Sequence, residues 1–141
     1  MGKKELIEDM LQLRDEGKKI QAILKLFEII KALSEESEEL QDEVENADFC
    51  VQFLTTDTDL QFWIEIRNNE IKYGQGHGPE ISVTLSGEEG IITGILSQDV
   101  DATSAYMSGD LIIDGNLQDA MAFGEIGELA REEMEDYVDL D

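Results

Sequence analysis

Residues 81–123 read ISVTLSGEEGIITGILSQDVDATSAYMSGDLIIDGNLQDAMAF, and the order of their periodicities decides the fold class. Ile81, Val83 and Leu85 recur at a spacing of two, which predicts a half-buried strand. After Ser86 the period lengthens. Ile91, Ile92, Ile95 and Leu96 form one apolar cluster at helical spacing, and Ala102 to Met107 predicts a second short helix. The segment GDLIIDGN returns to alternation, with Leu111 and Ile113 inward and Asp110, Ile112 and Asp114 outward. Gly115 turns the chain, and Asn116 is a favourable N-cap for a helix carrying Leu117, Ala120 and Met121. Strand, two short helices, strand and helix in that order predict an α+β domain.

Upstream, the first third reads as helix. Leu6, Ile7, Met10, Leu11 and Leu13 predict a first helix over residues 4–16, broken at Gly17. From Lys18 to Leu33 the apolar surface is unusually broad. Ile20, Ile23, Leu24, Phe27 and Ile30 share one sector, while Ala22, Leu26, Ile29 and Leu33 share the next. A surface helix needs an apolar stripe of about 100°, and this one is about twice as wide, so it must be covered from two directions. A third, acidic helix is expected over Glu35 to Glu45 with Ser34 as N-cap. Strands follow at Phe49, Val51 and Phe53, at Leu60 to Ile66, and around Ile71 to Tyr73 after an Asn68-Asn69 reversal, making an antiparallel meander with one polar face. Downstream, Gly124 and Gly127 are expected to weaken the last helix before an acidic helix bearing Ile126, Leu129, Ala130, Met134 and Tyr137 closes the chain.

Charge narrows the function. Ten Lys and Arg face 34 Asp and Glu in 141 residues, a formal net charge of −24. Residues 1–31 hold seven of those bases against six acids, so the excess belongs to residues 32–141. Such a surface lacks the basic footprint needed for phosphate contacts, which argues against nucleic-acid binding. A hydrophobic share of 41% is enough for a core and argues against disorder. The longest uncharged apolar run, Gly90 to Gln98, falls well short of the about 20 residues of a membrane span, so no stable membrane insertion is expected. Cys50 is the single cysteine and the N-terminus has no apolar signal core, which together lead to an expected cytoplasmic location.

No stretch carries an enzyme signature. Gly74-Gln75-Gly76-His77-Gly78 has a faint likeness to a dinucleotide loop, but it joins two strands and ends at Pro79, so it reads as a flexible hairpin turn. His77, the only histidine, sits there as an exposed turn residue. Cys50 reads as a small packing residue. Asp99, Asp101, Thr103 and Asp110 match the oxygen spacing of a calcium loop loosely, yet Ser104 stands where glycine is required and the last ligand is not glutamate. Helix capping by Asp99 or Asp101 is the better reading. Catalytic residues, metal ligands and cofactors are therefore expected to be absent.

Residues 81–123 also resemble the sterol carrier protein type-two domain family. The resemblance is carried by Thr93-Gly94 in a short helix, by Tyr106-Met107-Ser108-Gly109, by the G-x-L-x-I-x-G-[ND] strand from Gly109 to Asn116, and by Ala120-Met121. FWIEIRNNEI at residues 62–71 is similar to the family's second strand, and residues 25–53 to its leading helices and first strand. In register it covers about residues 23–123. It implies a five-stranded, mainly antiparallel sheet, helices covering one face, and a hydrophobic tunnel between them, with an extra N-terminal helix here. The first helix and the acidic C-terminal helix have no counterpart in the resemblance, so the chain is expected to divide into a helical arm at residues 1–16 and a carrier-like domain at residues 17–141. The resemblance also implies non-catalytic binding of a hydrophobic lipid, whether fatty acid, fatty acyl, isoprenoid or sterol-like. Carried over position by position, the tunnel lining would be Phe27, Ile30, Phe62, Ile64, Val83, Ile92, Ile95, Tyr106, Met107, Leu111, Ile113, Met121 and Phe123. The alternative is an interaction protein, or an accessory scaffold of lipid or quinone biosynthesis, that forms a homodimer through its N-terminal helices.

Overall fold

The sequence FCVQFLT places Phe49, Val51, Phe53 and Thr55 on one face of a strand and the uncharged Cys50, Gln52 and Leu54 on the other, and such a strand suits cover on both sides. In the computed structural model, which describes residues 2–140, these residues form β1 (Phe49–Thr55), buried along nearly its whole length. Around it lie β2 (Gln61–Arg67), β3 (Glu70–Gln75), β4 (Val83–Gly87) and β5 (Ile112–Gly115), in the order β3-β2-β1-β4-β5. Asn68 and Asn69, with φ of 54° and 60°, supply the two left-handed residues that a tight β2–β3 hairpin requires. The sheet is mainly antiparallel, but β4 runs parallel to β1, with Val51 opposite Val83 and Phe53 opposite Leu85. The expected antiparallel meander therefore stops at β3.

This pairing corrects the reading of residues 76–82. They form no hairpin turn. They are a strap that carries the chain from the β3 edge across the outer face of the sheet to the far side of β1. Gln52 fastens it: its Nε2 donates to the Gly76 carbonyl at 2.9 Å, and its Oε1 accepts from the Gly78 amide at 2.8 Å. Arg67 donates to the Glu80 carbonyl at 2.9 Å while also pairing with Glu65 and Asp48. Gly78 has to be glycine, because a Cβ there would lie 2.8 Å from Trp63 Cγ and 3.1 Å from Cys50 Sγ. The strap buries Cys50 and Gln52, so the outer face is polar only at its margins. Gln52→Leu leaves the two strap groups without partners, and urea denaturation should record a loss of about 1–3 kcal/mol.

The helices cover the other face. They are α1 (Lys3–Asp15), α2 (Lys19–Ser34), α3 (Glu38–Asn46), α4 (Glu89–Leu96), α5 (Ala102–Ser108) and α6 (Leu117–Met134). Gly17, at φ +76°, lets α1 fold back on α2, where Leu6 and Ile7 are buried. The broad apolar surface of α2 is thus covered by α1 on one side, and by β3 and α6 on others. The α2–α3 boundary and the course of the last helix differ from expectation, and of the two capping candidates before α5 one is chosen. Ser34 ends α2 by bonding back to the Lys31 carbonyl, and Ser37 takes the N-cap of α3 by accepting from the Leu40 amide. Asp101, not Asp99, caps α5, through the Ser104 amide. Gly124 and Gly127 do not divide the last helix. α6 runs unbroken through both, held by the burial of Phe123, Ile126, Ala130 and Met134 along one side.

The core lies between α2, α6 and the β1–β3 half of the sheet. Phe27 sits at its middle, with ring centroids 6.1–6.3 Å from those of Phe53, Phe62, Tyr73 and Phe123. Phe53 and Phe62, opposite each other across β1 and β2, stack at 5.0 Å.

Candidate functional site, an apolar cavity beside the aromatic core

Where the aromatic core ends, at the β4–β5 half of the sheet, the helices stand off and leave a cavity of about 950 Å³. Small-molecule sites span roughly 300–1,000 Å³, so this one lies near the upper end. Leu85 and Ile113, opposite each other across β4 and β5, form its floor. One wall comes from Met10 and Leu11 of α1 with Ala22, Ile23, Leu26 and Ile30 of α2. A second comes from Ile95 and Leu96 of α4, Val100, and Tyr106 and Met107 of α5. α6 closes the third side with Leu117, Ala120, Met121, Phe123, Gly124 and Gly127. Met107 is 81% exposed and Met121 62%, which puts them at the mouth.

Of the residues expected to line a tunnel, Ile30, Ile95, Tyr106, Met107, Leu111, Ile113, Met121 and Phe123 are on this wall. Phe27, Phe62, Ile64, Val83 and Ile92 are not. They are fully buried in packed contact, the phenylalanines within the ring cluster, Ile64 and Val83 flanking Val51, and Ile92 on the α4 face that packs on β1 and β4. Their side chains are consumed by the sheet–helix interface, leaving none of their surface for a ligand.

Several wall residues were not anticipated, and each has a physical explanation. Met10 and Leu11 belong to the first helix, outside the stretch that carried the resemblance. Ala22 and Leu26 come from the second apolar sector of α2, whose width did signal an additional covered surface. Gly124 contributes by lacking a side chain, whereas Gly127 makes room for the Gln98 amide, whose Nε2 would lie 2.9 Å from a Cβ there. A Cβ at Gly124 would meet nothing within 4 Å, so the space above it is part of the cavity. Gly94 has a packing role instead: its bare Cα admits Val100, whose Cγ2 would lie 2.4 Å from a Cβ.

Thr93 and Gln98 are half-buried neutral groups in the wall, and the charged groups stand at the rim. Arg14, Lys19 and Arg131 are there, as are Asp99, Asp101, Glu125 and Glu128. Lys19 pairs with Glu89, Arg14 with Asp15, and Arg131 with Glu135 and the Ser97 carbonyl. Hydrogen bonds from the Ser104 side chain and amide hold the Asp101 carboxyl below its ordinary pKa, so it stays ionised. Elsewhere, burial and then the nearby Glu65 carboxylate push the Cys50 thiol up to about 11, which makes it a poor nucleophile. His77 is exposed on the strap. Among the described residues no group of histidine, cysteine and carboxylate side chains is arranged to hold a metal. No described helix is long and apolar enough to cross a membrane.

A mostly antiparallel sheet with helices on one face and an apolar cavity between the two layers defines the class, an α+β domain of two layers. The chain belongs to the SCP-2 sterol transfer family, whose model matches residues 29–127, from within α2 to within α6. Sterol carrier protein 2 from Yarrowia lipolytica, in its apo form, shares the fold at a TM-score of 0.63 and 16% identity over 78% of this chain and 90% of that one. The ubiquinone synthesis protein UbiJ-SCP2 matches at 0.58 and 13% identity, over 73% of this chain and 88% of its own. A stereoselective inverting sec-alkylsulfatase from Pseudomonas sp. matches at 0.52 and 14% identity. That match takes in 88% of this chain but only 29% of the enzyme. No curated protein matches the sequence at a significant level.

Proposed function

We propose that this chain binds a hydrophobic lipid in the cavity between α1, α2, the α4–α5 segment and α6, and carries it without catalysis. The observation that supports this reading is the cavity itself: about 950 Å³ of apolar-walled space in a domain otherwise packed around a solid aromatic core. Largely apolar walls with charged groups kept to the rim suit a ligand whose tail is buried and whose head stays near water. The similar structures suggest which tails to try, since one is a sterol carrier protein and another a ubiquinone synthesis protein. In this reading the chain works in the cytoplasm as a soluble carrier. A homodimer through the N-terminal helices would have to use their outer faces, because Leu6 and Ile7 of α1 are already buried within the chain.

The test is a thermal titration of delipidated protein with sterols, long-chain alcohols and prenylated quinones. A ligand that binds only the folded state at a hundred times its Kd stabilises it by about 2.7 kcal/mol, which is seen as a clear rise in Tm. The reading is sustained by a rise with at least one class, and is lost if every class leaves Tm unchanged at saturating concentration.

A further inference from the structure

We propose that the cavity takes long-chain lipids whose head carries no negative charge, and disfavours fatty acids and other anionic amphiphiles. This inference rests on the lipid-binding reading of the same cavity and adds the chemistry of the head. Four carboxylates stand on the rim, Asp99, Asp101, Glu125 and Glu128. Glu125 and Glu128 are exposed on α6 and enter no ion pair among the described residues. The three rim cations are each engaged by a carboxylate just beyond the rim, Arg14 by Asp15, Lys19 by Glu89 and Arg131 by Glu135. With those partners included, three positive groups face seven negative ones.

The cavity offers an anion no unpaired cation to offset this. Arg14, Lys19 and Arg131 are the cationic side chains of its lining among the described residues, each already paired with a carboxylate, and its remaining polar side chains, Thr93, Ser97, Gln98, Thr103 and Tyr106 among them, are neutral apart from the acids. A carboxylate drawn into the apolar region would lose its hydration without gaining a cation, which is strongly unfavourable. One left at the mouth would sit among rim carboxylates on a chain of formal net charge −24. A hydroxyl or carbonyl head meets neither penalty, since it keeps a hydrogen bond to water or to a lining hydroxyl such as Thr93 or Thr103.

The experiment measures equilibrium binding of radiolabelled hexadecanol and palmitate, two amphiphiles with sixteen-carbon chains and different heads, to the full delipidated chain at neutral pH. At ~10 mM salt, where charges are felt over ~30 Å, hexadecanol should bind at least about tenfold more tightly. At ~1 M salt, with screening over ~3 Å, the ratio should fall at least about threefold. Glu125→Gln combined with Glu128→Gln should raise palmitate affinity severalfold at low salt. Equal affinities at low salt, or tighter binding of palmitate, overturn the inference while leaving lipid binding intact. Failure of both ligands to bind overturns the inference, whereas the lipid-binding reading itself is lost only if sterols and prenylated quinones also leave Tm unchanged.

Discussion

Replacing Phe27 with alanine lowers the unfolding free energy by about 3–5 kcal/mol, the range for deleting a large buried aromatic side chain. Phe27 has no exposed surface, and its ring is the only one in contact with Phe53, Phe62, Tyr73 and Phe123 together. Removing it leaves a void that none of its neighbours can fill without giving up its own packing. Phe53 and Phe62 are fixed by strand register, Tyr73 lies on an edge strand and Phe123 on α6. Each lost ring pair adds to the loss from area alone. Domains of this size are stable by only about 5–15 kcal/mol, so the variant keeps a fold that survives in buffer but unfolds at markedly lower urea. A loss below about 1 kcal/mol would mean that the ring cluster is loosely packed, and that the division between solid core and open cavity is misplaced.

Gly124→Leu is expected to move stability and binding in opposite directions. Gly124 lies within α6 at a helical backbone, so leucine there gains about 0.8–1 kcal/mol of helix propensity. A side chain on Gly124 starts in open space, with no atom within 4 Å of its Cβ, on the same helix face as the cavity residues Ala120 and Glu128. The leucine therefore fills volume that a ligand tail would occupy. We expect a Tm equal to or above that of the parent in the absence of lipid, with lipid affinity at least about tenfold lower. The pairing of effects matters, because a variant that merely disturbed the fold would lose both. Unchanged affinity with the higher Tm would place the ligand elsewhere.

Much of the architecture is legible in the sequence because its signals are local. Alternation in Val83 and Leu85, the helical cluster Ile91 to Leu96 and the Asn116 cap each reflect contacts set within a few residues, while Ile81, expected in the same strand, lies in the strap before it. The doubled apolar width of α2 also announced cover from two sides, which α1 and the sheet–α6 core supply. What escaped depends on distant partners. The strap over the outer face is held by Gln52, whose two bonds reach residues 24 and 26 positions away, and nothing around Gln52 or Gly78 marks that pairing. The parallel placement of β4 follows from the same crossing. On α6 the local signal pointed the wrong way. Gly124 and Gly127 lower helix propensity, yet tertiary burial on one side keeps the helix whole, and on the other Gly124 borders open space while Gly127 admits the Gln98 side chain.

The candidate site was legible in the same uneven manner. Residues near the family-like motif from Gly109 to Met121 fall largely on the cavity wall, since β5, α5 and the start of α6 surround the opening. Phe27, Phe62 and Ile64 are as apolar as any wall residue, and only three-dimensional packing separates those that fill a core from those that border a void. The first helix contributes Met10 and Leu11 through the turn at Gly17, although it lies outside the residues matched by the family.

The central claim, that lipid occupies the cavity beside the aromatic core, is tested most directly by isotope-filtered NMR of methyl-labelled protein bound to an unlabelled long-chain alcohol. The account predicts intermolecular contacts from the alkyl chain to methyl groups of Ile30, Leu85, Ile95, Leu111 and Met121, with none to Ile64 or Ile92. Bound alcohol whose contacts miss the first set, or fall only on outer surfaces of the sheet or helices, would contradict it.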